Sequence, residues 1–400
     1  MTDKSDSRKY GLTITQVFSV TKNERKMNKI KIISIVALFF VASCSPKAHL
    51  TSNQNDILFQ KIDNICDSLL TNPEFKSFSL GVVANDKIYK IHKGLLRNGK
   101  VPNDQTTYEI ASLTKTFTGT LLANAIFENK VKIDDDIRKY LPEKYPNLEF
   151  AGQPITFRHL VTHQSGLPHM FPNKMEIFNN ANWDKLPFEI NELQKDYTKS
   201  KFFSDLLIVK LDTLPGTKLM YSNVGAILLG YIIENVYQNT FDNLVKDKIL
   251  RPLKMANTET SISKAKKKYL AVGQNANMIE MPFRVEKDMN AEGGMISNVG
   301  DMIKYMSYHL NESDMIIYTA HQHLWNGKFG DFEAGLFWQI YKDGDKPDKI
   351  FQNGGAYGTS SWITLIPERN IGVFIITNVA GQNVHQNLNQ AVEKIIAEIK

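Results

Sequence analysis

The sequence is short of cysteine, of net charge and of long apolar runs, and each shortage closes a class of explanation. Two cysteines in 400 residues, Cys44 and Cys66, cannot supply a disulfide framework. The formal charge of +6 is a local excess: residues 1–50 hold nine of the 48 Lys/Arg and three of the 42 Asp/Glu, which leaves 39 of each sign from residue 51 onward. A neutral body gives no electrostatic footprint for a nucleic-acid partner. The one conspicuous apolar run, Ile32–Phe40, is too short for a comfortable membrane-spanning helix. What remains is an ordinary globular composition, 42% apolar and 22% charged. Its length suits two or three average domains or one large mixed α/β enzyme.

The excess charge and the apolar run adjoin. Lys29 and Lys31 precede Ile32–Phe40, which leads to Val41-Ala42-Ser43-Cys44. A basic region, a short apolar region and small residues describe a secretory signal. Val-Ala-Ser-Cys also resembles the bacterial lipobox, which implies lipidation at Cys44, a membrane attachment through that lipid or an anchor, and a place in the bacterial cell envelope. Residues 1–26 are polar and unlike the start of a signal, so Met27 is a plausible true start. The expected organisation is an extension (1–26), a signal or lipoprotein segment (27–44), a tether (45–56) and one catalytic body (57–400). Cys66 falls in a segment with helical apolar spacing and reads as a buried structural thiol.

Along the body, apolar spacing predicts a helix over roughly 57–71 and a hairpin from Phe78–Ala84 and Ile88–His92. The middle, roughly 112–310, is dominated by helical patterns. Strand character returns at 335–341, 361–366 and 372–377, and an amphipathic helix closes the chain at 384–399. Strands at both ends around a helical middle imply one antiparallel sheet completed by the two termini.

Three segments carry chemistry. Ser112 and Lys115 lie three apart at the start of an apolar helical run, hence on one helix face. A serine hydroxyl is a poor nucleophile unless a neighbour takes its proton, and a lysine can do so when burial or nearby charge tunes it. Tyr221 and Asn223, two apart before another helix, can present a phenol for proton relay and an amide for a substrate carbonyl. Gln352-Asn353-Gly354-Gly355 precedes a late strand, reads as a turn, and allows close backbone approach to a ligand.

In this order the three segments resemble the serine β-lactamase and penicillin-binding superfamily, closest to its class C-like members, which include D-alanyl-D-alanine peptidases and esterases. The stretches Ile155–Pro168, Leu214–Gly230 and Ala291–Ser297 are also similar to ones these proteins share. The resemblance implies a β-lactamase/transpeptidase-like α/β (α+β) fold, an antiparallel sheet flanked by helices with a largely helical subdomain. It implies Ser112 as acylated nucleophile, Lys115 as base partner, Tyr221 as relay and Asn223 as substrate contact. Gln352, Asn353, Gly354 and Gly355 would line the substrate site, with the Gly355 and Ser112 N–H groups binding the oxyanion. The substrate would be a small molecule or peptide with an amide or ester bond, and no metal or organic cofactor is implied. One departure stands out: the third segment usually opens with Lys or His, and here a neutral Gln352 removes a charge that would meet a substrate carboxylate. An alternative reading is a non-catalytic or very slow binder of penicillin or cell-wall peptide.

Other candidates read as structural. His321-Gln322-His323 lacks further ligands at metal spacing. His159 and His163 suit hydrogen bonding, Lys264–Lys268 a solvated face, and Asp134–Asp136 lacks the Gly and Glu of a calcium loop. Trp325 and Trp338 fit either a pocket lining or the core.

Overall fold

The computed structural model describes residues 49–50 and 56–399, apart from 86, 286–287 and 330–331. The segments expected as extension, signal and lipid site, Cys44 included, lie outside the described residues. Among those described, no helix is long and apolar enough to cross a membrane.

Nine strands form the principal sheet: β1 (His49–Leu50), β2 (Ser77–Ala84), β3 (Lys87–Gly94), β4 (Trp325–Phe329), β5 (Phe332–Ala334), β6 (Gln339–Tyr341), β7 (Lys349–Gly355), β8 (Ser360–Ile366) and β9 (Ile371–Thr377). Their order is β1-β3-β2-β9-β8-β7-β6-β5-β4. Every pairing is antiparallel except the short β1–β3 contact. The amino-terminal hairpin therefore joins the carboxy-terminal strands edge to edge, with Phe78 opposite Thr377 and Ala84 opposite Ile371. The expectation of a sheet closed by both ends of the chain is met.

Side-chain alternation sorts the sheet into two faces. Phe78, Leu80 and Val82 of β2 pack with Ile62 and Cys66 of α1 (Ile57–Leu70) and with Leu388, Val392 and Ile395 of the closing helix, Gln382–Glu398. Burial pushes the free Cys66 thiol up to about 12, as suits a structural cysteine. Val83 and Phe374 face the other way, into a larger core shared with the helical region. Gly81 lies on that second face, where a Cβ would come within 2.7 Å of Ile303 on the helix Val299–His309. The helical region is organised around α2 (Thr114–Phe127), whose residues Thr114–Ala125 are all buried, and α3 (Asn223–Tyr237). A helix buried all round is a central strut rather than an amphipathic surface element.

Two expectations need correction. The segment opening at Gln352 is not a turn but the end of β7, where Gln352–Gly355 pair with Ser360–Ile363 of β8. The strand expected over 335–341 is confined to Gln339–Tyr341, because Phe337 takes φ = 61° and breaks the extended path.

Candidate active site

Ser112 is placed by two structures that meet at it. Tyr108–Glu109 pairs with Ile296–Ser297, and a 3-10 turn, Ala111–Leu113, then runs directly into α2. Within that turn Ala111 has φ = 50°, a left-handed conformation costing a residue with a Cβ about 1–3 kcal/mol. The surroundings hold it: Ile110 N–H donates to the Met295 carbonyl at 3.0 Å, and Thr359 Oγ1 donates to the Glu109 carbonyl at 2.7 Å. One turn on, the fully buried Lys115 reaches back, and its Nζ donates to Ser112 Oγ at 3.0 Å.

Tyr221 reaches the same oxygen. Its hydroxyl lies 2.7 Å from Ser112 Oγ, and Lys115 Nζ stands 5.0 Å from the centre of its ring. The stretch 159–169 cradles this residue and its neighbours. His163 accepts the Ser222 N–H at Nδ1 (3.2 Å), and its ring packs 4.3 Å from that of Tyr221. Met220 N–H donates to the His163 carbonyl at 2.7 Å, and Asn223 N–H donates to that of His169 at 2.9 Å. Burial, aided by the Lys115 charge, drives the His163 imidazole down to about 3, so it is neutral. Because Nδ1 accepts, the ring proton sits on Nε2. Asn223 begins α3 with its Oδ1 buried and without a hydrogen-bond partner among the described residues.

The third segment reaches the site through its backbone. A Cβ on Gly354 would stand 2.3 Å from the Ile110 carbonyl oxygen, so only glycine lets β7 run this close to the turn that carries Ser112. Gln352 shares the Gly354 face, but its amide is engaged elsewhere. Nε2 donates to the Phe337 carbonyl at 2.6 Å, while Oε1 accepts from Asn353 N–H (2.9 Å) and Gln339 Nε2 (3.3 Å). Asn353 and Gly355 alternate to the opposite face, where a Cβ on Gly355 would meet His385 at 3.0 Å. The structure thus gathers Ser112, Lys115, Tyr221 and the Gly354 backbone, and leaves the Gln352 amide buried and occupied.

Sequence reasoning missed the group behind Lys115. Side chains of α2 grip the loop 290–295: Thr118 Oγ1 donates to the Ala291 carbonyl at 2.6 Å, and Thr114 Oγ1 accepts the Met295 N–H at 3.2 Å. Between these two contacts Lys115 Nζ donates to the Glu292 carbonyl (2.6 Å) and to its Oε2 (3.2 Å). The other carboxylate oxygen receives the Arg284 guanidinium. Burial acts to raise the Glu292 carboxyl, but the Arg284 and Lys115 charges outweigh it and hold it at about 2. The available signal was a charged residue before two glycines within an otherwise apolar stretch.

The remaining candidates take structural places. His321 is buried, with Nδ1 near Glu312 (2.8 Å) and Nε2 near His309 Nδ1 (3.1 Å), and both rings pack on the buried Trp338. His159 completes the cap of the short helix Phe157–Val161, and Asp136 pairs with Arg138. Among the described residues no group of three His, Cys, Asp or Glu could hold a metal ion.

Comparison with known proteins finds relatives in sequence and in fold. The chain is 25% identical over 336 residues to Protein flp of Staphylococcus aureus, covering 81% of this chain and 64% of that protein, so it spans less than two thirds of that relative. It is 24% identical over 357 residues to the D-alanyl-D-alanine-carboxypeptidase/endopeptidase AmpH of Escherichia coli, covering 84% of this chain and 88% of that one. Its fold superposes on a class C beta-lactamase with a TM-score of 0.73 at 18% identity, covering 88% of this chain and 99% of the other. It also superposes on a beta-lactamase/D-alanine carboxypeptidase of Yersinia pestis with a TM-score of 0.70 at 23% identity, covering 86% and 98%. Residues 62–397 match the family model described as Beta-lactamase, a span holding the whole Ser112 site, and the chain belongs to that family.

Proposed function

We propose that the protein is an exported serine hydrolase that cleaves an amide or ester bond through an acyl-enzyme on Ser112. The observation that carries this reading is the shared Ser112 oxygen, 2.7 Å from the Tyr221 hydroxyl and 3.0 Å from Lys115 Nζ. In the acylation step Ser112 Oγ bonds to the substrate carbonyl carbon and gives its proton to Tyr221 Oη. The Tyr221 hydroxyl proton passes to the leaving amine or alcohol as that bond breaks. Water then attacks the acyl carbon, and the carboxylic acid leaves with Ser112 restored. The Ser112 and Gly355 N–H groups are assigned to the oxyanion and the Asn223 side-chain amide to a substrate carbonyl.

Candidate substrates are a cell-wall peptide, a β-lactam or a small ester. The names of the relatives support the first two, while the occupied, neutral Gln352 amide supports substrates that need no carboxylate clamp there. The basic, apolar and small-residue segment ending at Cys44 supports export and attachment to the bacterial envelope through lipid, with 57–400 as the hydrolase body. Intact-protein mass spectrometry with a fluorophosphonate and, separately, a penicillin tests the chemistry. Labelling by both, lost in Ser112→Ala, is the expected result for a penicillin-recognising hydrolase. Fluorophosphonate labelling alone selects an ester or peptide substrate without a clamped carboxylate. Silence from both overturns the hydrolase reading in favour of a binding protein. Loss of radiolabelled palmitate from Cys44→Ser tests the anchor.

A further inference from the structure

We propose that Glu292, clamped by Arg284, is a positioning residue that fixes Lys115 as a charged hydrogen-bond donor to Ser112, so that the nucleophile's proton leaves by way of Tyr221 and not by way of the lysine. This rests on the serine-hydrolase reading and assigns the division of labour within that site.

An ammonium group has three N–H donors. Lys115 Nζ finds three acceptors: Ser112 Oγ at 3.0 Å, the Glu292 carbonyl at 2.6 Å and Glu292 Oε2 at 3.2 Å. A charge on a fully buried side chain is sustained only where a partner of opposite sign sits beside it. Glu292 is that partner, and its own second oxygen is taken by Arg284. With both oxygens occupied and its carboxyl held at about 2, Glu292 is neither an acid nor a base near neutral pH. It acts only as fixed negative charge. Among the described residues, this cluster is also faced by the Tyr221 ring, the neutral His163 ring and Glu109, which accepts the Arg284 backbone N–H at 3.2 Å. A lysine with all three donors placed has no lone pair directed at Ser112. It serves instead as a positive charge that stabilises negative charge developing on Ser112 Oγ and Tyr221 Oη.

The test uses the full chain, with two variants whose effects have opposite sign. The second-order rate of Ser112 labelling by a fluorophosphonate is followed from pH 5 to pH 10 in wild type, Glu292→Gln and Arg284→Gln. Glu292→Gln removes the charge that favours the ammonium, so the alkaline limb of the profile moves to lower pH by about 1–3 units. Arg284→Gln removes a neighbouring like charge, so that limb moves to higher pH. Damage to packing alone cannot move one limb in two directions. Faster labelling of Glu292→Gln at neutral pH, with the acid limb displaced downward, would show Lys115 acting as a neutral base and overturn the inference. Slower labelling with unmoved limbs would overturn it as well. If wild type is not labelled at all, the hydrolase reading fails, and the charge assignment is still decided by NMR of 13C-lysine-labelled protein with Lys115 assigned through Lys115→Arg. The expected result is loss of the ammonium signal at lower pH in Glu292→Gln than in wild type. Coincident titrations would refute it.

Discussion

Replacing Gly354 with alanine adds one methyl group at the seam between β7 and the turn that carries Ser112. That Cβ would sit 2.3 Å from the Ile110 carbonyl oxygen and 2.7 Å from Ser361 Oγ. Ordinary contact needs about 3.4 Å or more, so the strand and the turn must separate by roughly 1 Å. Neither can yield freely. Gly354 is paired with Ser361 of β8, and Ile110 is tied to Met295 and followed by the left-handed Ala111. Overpacking of this kind costs about 1–3 kcal/mol. A displacement of about 1 Å at a catalytic group costs about 100-fold in rate. The expected outcome is a lower urea midpoint together with a fall of about 100-fold in the rate of Ser112 labelling by fluorophosphonate. Wild-type labelling and an unchanged midpoint would refute the argument, because the close approach of β7 would then have no consequence. A stability loss with unchanged labelling would show that the seam supports the fold without setting the site.

Four further outcomes follow from the same geometry. Tyr221→Phe removes the hydroxyl 2.7 Å from Ser112 Oγ and should slow acylation by about 10²–10⁴-fold with little change in melting temperature, read by the same labelling assay. Lys115→Met leaves the buried Glu292 with Arg284 alone, and should lower stability in urea by up to about 3–5 kcal/mol while abolishing labelling. Glu292 has a carboxyl held at about 2 in the fold against an ordinary 4.5, so its contribution to stability is complete above pH 4.5 and is lost as pH falls toward 2. Glu292→Gln should therefore flatten the decline of the urea midpoint across that window. Cys66 is buried with its thiol pushed up to about 12, so maleimide at pH 7 should modify it only after denaturation.

The sequence made some of this legible because the determining interactions are local. The spacing of Ser112 and Lys115 is a helix property, and the short apolar run Phe78–Ala84 announces a strand, which is buried on both faces. Gln352-Asn353-Gly354-Gly355 has turn composition, but the hairpin with β8 that makes it strand has its loop at 356–359, not at 352–355. Phe337 in the left-handed region could not be anticipated, since an aromatic residue carries no local preference for it. Glu292 stands 177 residues from Lys115, and their pairing exists only once the 290–295 loop closes on α2. A charged residue in isolation looks like solvated surface; its burial is a tertiary fact. The neutral Gln352 was legible as a missing cation, but not as an amide engaged with Phe337.

The pairing of β2 with β9 sets the order of events in biogenesis. Phe78 emerges from the ribosome about three hundred residues before its partner Thr377, and α1 waits for the closing helix, to which Lys61 is bonded through Glu398 at 2.6 Å. Contacts of such long sequence separation form late and slowly. The nascent chain carries its serine, lysine and tyrosine long before β7 and β9 exist to frame them. Assembly of the site thus falls at the end of synthesis, and an early stop removing only residues 371–400 leaves Ser112, Lys115 and Tyr221 present but deletes the strand that joins β2 to β8.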